Sequence, residues 1–85
     1  VTFSSMLNLA MIYSSTKKKD EALNLYGIAS NFAKTPEQKA EALYRVGVLY
    51  SEKGSLDSAV KSLKYAVYLN PSHTKARFFL SQLKK

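Results

Sequence analysis

AEALYRVGVLYSEKGSLDSAVKSLKYAVYLNP, residues 40–71, decides how this 85-residue chain folds. Leu43, Val46, Gly47 and Tyr50 recur at i, i+3, i+4 and i+7, which is one face of an α-helix. Ala59, Leu63 and Ala66, continued by Leu69 or Asn70, trace a second such face. Between the two lies Glu52-Lys53-Gly54-Ser55, where Gly54 can take a positive φ and end the first helix. The stretch therefore reads as a helical hairpin. Gly47, Ala59 and Ala66 let two backbones approach closely, while Leu43, Tyr50 and Leu63 fill the space beside that contact.

The pattern L-x2-V-G-x2-Y…A-x3-L…P, carried by Leu43, Val46, Gly47, Tyr50, Ala59, Leu63 and Pro71, resembles that of the tetratricopeptide repeat (TPR) family. A weaker copy lies upstream at a constant offset of 37 residues: Met6, Tyr13, Asp20, Ala22 and Ala29 precede Leu43, Tyr50, Asp57, Ala59 and Ala66. It departs from the family at its turn, where Lys17 stands for the usual glycine, and it lacks the closing proline. The offset also exceeds the family's period of about 34 residues. The extra residues fall between Asn31 and Lys39. There Thr35-Pro36-Glu37-Gln38 offers a hydroxyl N-cap, a proline at the first helical position and a glutamine three after the cap, the capping-box arrangement.

Five helices are expected, near 2–16, 19–33, 36–53, 56–69 and 73–84, the last capped by Ser72. The resemblance implies an all-α fold, a right-handed superhelical stack of antiparallel helix pairs. Two repeats, at about 3–35 and 36–71, would be followed by a capping helix at 72–85, together forming a single domain over 1–85. In that helix Ala76, Leu80 and Leu83 face the preceding pair. Arg77, Ser81 and Lys84 give the outer side the polarity that a terminal unit of a solenoid needs. The first helix is the opposite case: Phe3, Met6, Leu7, Leu9, Ala10, Met11, Ile12 and Tyr13 make it apolar nearly all round, which implies burial on more than one side. With no initiator methionine, the chain reads as the C-terminal part of a longer protein, Leu7 and Met11 being covered by an upstream helix or a second molecule.

Composition narrows the function classes. With 46% apolar residues the chain suits one small unit, and a stacked repeat fits this length better than a compact globule does. No cysteine is present, which removes disulfides, thiolate metal sites and cysteine nucleophiles together. No apolar run approaches the ~20 residues of a membrane span, so a soluble chain is expected, the cytoplasm being slightly favoured. A formal charge of +7 raises nucleic acid as a partner. Its lysines are scattered, however, apart from Lys17-Lys18-Lys19 at a turn and Lys84-Lys85 at the end, and a solvated surface accounts for them. Helical-repeat readers of RNA need recurring polar pairs or stacking platforms, whereas this chain repeats apolar residues. Nucleic acid is therefore the less favoured alternative, beside self-association.

No catalytic or metal-binding constellation emerges, and no enzyme activity, cofactor or metal is expected. His73 is the single histidine and lies after Pro71 with no carboxylate at useful sequence spacing, which reads as a surface turn residue. The resemblance implies instead a scaffold that binds a peptide or helix of another protein. Its first helices would line a concave, largely apolar groove. By register the groove would hold Ser4, Leu7, Asn8, Met11 and Ser15, then Glu41, Tyr44, Arg45, Val48 and Glu52, then Lys75, Phe78, Phe79 and Gln82. Of these, Leu7, Asn8, Met11, Tyr44, Arg45, Val48, Lys75, Phe78, Phe79 and Gln82 are the candidate partner-binding residues. Tyr44 and Phe79 are expected to be free of neighbouring helices. One subgroup of the family grips a C-terminal carboxylate with lysines and asparagines on these helices. Here Leu7, Met11, Arg45, Lys75 and Phe79 occupy those places and only Lys75 matches; in the frame shifted by one repeat Asn8 and Arg45 match but Glu41 stands where a lysine is needed, so that ligand is disfavoured.

Overall fold

The structure is a computed structural model, described here for residues 2–83; Val1, Lys84 and Lys85, including the expected last residue of the fifth helix, lie outside the described residues. Five helices follow one another: α1 (Phe3–Ser15), α2 (Lys19–Asn31), α3 (Pro36–Glu52), α4 (Leu56–Leu69) and α5 (Thr74–Leu83). The short connections make each helix double back on its predecessor. Each packs chiefly on its neighbours in sequence, and α1 also reaches α3.

The helix ends follow from local chemistry. Thr2 caps α1 by accepting from the Ser5 amide at 3.2 Å, and Thr35 caps α3 by accepting from the Gln38 amide at 3.1 Å with Pro36 in the first turn. The capping box is half of what the sequence suggests. The Gln38 side chain accepts from the Lys34 amide at 2.8 Å, one residue before the cap, because that is the N–H the extended backbone of Thr35 leaves within reach. α1 and α3 both end in the same six-residue turn. The Lys18 amide donates to the Tyr13 carbonyl at 3.1 Å, and the Ser55 amide to the Tyr50 carbonyl at 2.8 Å, the long bond of a Schellman motif. The residue before each donor is left-handed: Gly54 at φ 85° and, in the copy without glycine, Lys17 at φ 69°.

Lys17 therefore holds a conformation that a Cβ disfavours by roughly 1–2 kcal/mol. Lys17→Gly is expected to stabilise the protein by about 0.5–1 kcal/mol, after allowing for the extra freedom that glycine has in the unfolded chain. Gly54→Ala is expected to destabilise it by a similar amount. Urea midpoints of the two variants check both signs; a less stable Lys17→Gly would mean that the turn is not strained.

The core has two centres. Ala10, Ala22, Tyr26 and Leu49 form the first, with Leu7, Met11, Tyr13, Leu23, Leu25 and Val46 resting on it. Ala40, Leu63, Ala66 and Ala76 form the second, flanked by Leu43, Tyr44, Val67, Leu69, Phe79, Leu80 and Leu83. Small residues are among the buried positions of every helix, and Gly47 leaves the room that Leu63 occupies. A Cβ there would lie 2.7 Å from Leu63 Cγ and 3.3 Å from the Ala59 carbonyl oxygen. The capping helix packs as its pattern predicts: Ala76 is buried, Leu80 and Leu83 are half-buried, and Arg77 and Ser81 face solvent. Leu7 and Met11 rest on the chain's own first cluster. On α1 the apolar residues left most open are instead Ile12, 57% exposed, and Leu9.

Candidate functional site

The first helices α1 and α3, with α5, carry the ten candidate binding residues, and the structure treats them in three ways. Asn8, Lys75, Phe78 and Gln82 are exposed, Phe78 at 65%. Leu7, Met11, Arg45 and Val48 are half-buried, the first two against the core. Tyr44 and Phe79, expected to be free of neighbouring helices, both pack on the second core cluster, which joins Ala40 of α3, Leu63 and Ala66 of α4 and Ala76 of α5. Part of each ring thus serves the fold. Asn8 and Met11, with Ile12 and Ser15, line an open depression on α1. A second cleft, between the start of α1 and the α2–α3 connection, is lined by Thr2, Phe3, Ser4, Phe32, Lys34 and Gln38.

The polar centre of this face is Glu41, on α3. Its Oε2 accepts from Arg45 Nε at 3.0 Å, one turn on, and its Oε1 from His73 Nε2 at 2.8 Å. His73 is thus neither a free surface residue nor without a carboxylate. Its side chain is 10% exposed, its ring centroid lies 5.0 Å from that of Tyr44, and its Nδ1 accepts the Ala76 amide at 3.2 Å. With the His73 carbonyl taking the Arg77 amide, His73 is the N-cap of α5. Ser72, expected in that role, donates its hydroxyl to Asn70 Oδ1 at 2.8 Å instead. Accepting at Nδ1 sets the tautomer: Nε2 carries the hydrogen and donates it to Glu41. The two residues are 32 apart in sequence, so no spacing rule links them; an N-cap histidine one residue past an apparent Ser cap was the only local clue.

Burial pushes the Glu41 carboxyl up, but the hydrogen bonds from His73 and Arg45, aided by the Arg45 charge, outweigh it and hold the group below the ordinary glutamate range. A carboxylate favoured in the folded state contributes stability above its unfolded pKa and loses it as pH falls through the lower folded value. Acidification below about pH 4 should therefore lower the melting temperature, and Glu41→Gln should flatten that acid limb while being less stable than the parent at neutral pH. Parallel limbs for the two proteins, read by thermal melts against pH, would assign the acid loss to other carboxylates.

Elsewhere the two repeats are tied by ion pairs from the start of α2 to the end of α3. Lys19 lies 3.7 Å from Glu52, and Lys53 pairs with Asp20. Both are largely solvated, and pairs of this kind contribute only about 0–1 kcal/mol.

The helix-pair architecture places the chain among α-helical repeat proteins, and its relatives say which kind. The tetratricopeptide repeat profile matches residues 3–27 and 40–73, more than half of the chain. Mouse tetratricopeptide repeat protein 14 is 33% identical over 76 residues, 89% of this chain and 10% of that protein. The chain belongs to the tetratricopeptide repeat family. Repeats of this family generally mediate protein–protein interaction. The unmatched segment 28–39 holds the longer inter-repeat connection and the early start of α3. The chain spans about a tenth of the curated relative it matches, and no helix among the described residues is long and apolar enough to cross a membrane.

Proposed function

We propose that this unit is a non-catalytic scaffold that captures a peptide or helix of a partner protein on the face formed by α1, α3 and α5. The observation that carries the reading is the open depression on α1, in which the apolar Met11 and Ile12 are framed by Asn8 and Ser15. Ile12 on α1 and Phe78 on α5 are large apolar side chains that folding leaves uncovered. An amphipathic segment would bury them, while Asn8, Arg45, Lys75 and Gln82 offer polar contacts to set its direction.

Since Tyr44 and Phe79 also support the core, exposed positions make the sharper test. Ile12→Ser with Phe78→Ser is expected to change stability by no more than about 0.5 kcal/mol, as substitutions of exposed side chains do, and to remove the proteins that the intact parent recovers in a quantitative pull-down. An unchanged recovered set would move the binding surface away from this face. A mass that rises with concentration in the parent and not in the variant would show that the occupant is a second copy.

A further inference from the structure

The face described above leaves the outer side of α4 unused, and that side has a chemistry of its own. Lys61, Lys64, Tyr65 and Tyr68 follow one another at helical spacing and all are exposed, Tyr68 at 78% and Tyr65 at 45%. The two rings are neighbours, with centroids 6.3 Å apart and planes 30° from parallel. Lys39, reaching across from α3, sets its ammonium over one face of the Tyr65 ring, 5.8 Å from its centroid, so Tyr68 is the freer of the two platforms. Lys39, Lys61 and Lys64 enter no ion pair among the described residues. The acid in the first turn of α4, Asp57, lies one turn before Lys61 without bridging to it.

We infer that this ridge binds single-stranded nucleic acid, the tyrosines stacking on bases while Lys39, Lys61 and Lys64 hold phosphates. The ring separation is nearly twice the ~3.4 Å spacing of stacked bases in one strand, so each tyrosine offers its own platform. Stacking on an exposed ring needs only a free π-face flanked by cations, which suits the crest of a helix. An acidic peptide would satisfy the lysines and leave both rings without a stacking partner. This inference is independent of the protein-binding reading, since it uses different residues on a different face.

Fluorescence anisotropy with labelled oligouridylate and oligoadenylate of about 12 nucleotides, within the range of known single-strand sites, tests it on the 85-residue chain. At about 50 mM salt binding is expected, weakening with a log–log slope near −2 for three phosphates on a single strand. Tyr65→Ala with Tyr68→Ala should lower the affinity at least about tenfold without changing the slope, and the double Tyr→Phe variant should restore it. Lys61→Gln with Lys64→Gln should make the slope shallower by about 1.4. Circular dichroism of each variant checks that the helices persist. No binding at low salt, or equal binding by the alanine variant through scattered lysines such as Lys17 and Lys18, overturns the inference. Displacement of the oligonucleotide by a poly-glutamate peptide at equal charge concentration overturns it in favour of an acidic protein ligand.

Discussion

Leu63→Ala should cost about 2–5 kcal/mol, the range for emptying a buried leucine site, and it should reverse the sign of a second substitution. Leu63 is fully buried, and it stands over Gly47 where α3 and α4 touch. In the parent, Gly47→Ala puts a methyl 2.7 Å from Leu63 Cγ. That carbon is the branch point of a fully buried side chain, so the helices must part, and overpacking of this kind costs about 1–3 kcal/mol. The loss exceeds the roughly 1 kcal/mol that alanine gains over glycine within a helix. With Leu63 already alanine the 2.7 Å contact is gone and the methyl fills part of the cavity; the Ala59 carbonyl oxygen at 3.3 Å still has to give slightly, so Gly47→Ala should then stabilise by somewhat less than the roughly 1 kcal/mol of helix preference. A double-mutant cycle in urea reads the coupling directly. Additive single effects would mean that Leu63 is not what excludes a side chain at position 47.

Tyr26→Ala is the other large effect, expected near 3–5 kcal/mol by analogy with other buried aromatics. Tyr26 is 2% exposed and joins Ala10 of α1 and Leu49 of α3, so it is the main apolar tie between the two repeats. Burial also pushes its phenol pKa up, against the opposing influence of the Arg45 charge and the Ser14 hydroxyl. In a linear stack each unit is stabilised by its neighbour. Losing this ring should therefore release the first repeat before the second. Hydrogen exchange should then show α1 and α2 losing protection while α3 to α5 keep theirs. Uniform loss along the chain would show that the two repeats unfold as one.

Much of the architecture was legible because it is encoded locally. The faces Leu43, Val46, Gly47, Tyr50 and Ala59, Leu63, Ala66 each lie within a few helical turns, and the turn at Gly54 needs only that residue's freedom at positive φ. The offset of 37 placed the first repeat, and α1 and α3 do end in equivalent turns, although Lys17 must strain to make its own. Among the described residues helix ends differed from expectation by at most two residues; at the start of α5, His73, held from α3 by Glu41, displaced Ser72 as the cap.

Five helices, their pairing into repeats and the small residues on their inner faces are encoded locally, since each depends on the period of a helix and the reach of a turn. Only the packing of the helices brings Tyr44 and Phe79 onto the core, Glu41 on α3 to His73 at the start of α5, and the exposed Tyr65 and Tyr68 beside lysines that enter no ion pair among the described residues. Those outcomes turn on which way one helix leans over the next. Such an angle is set by the summed contacts of many side chains, and no single spacing along the chain contains it.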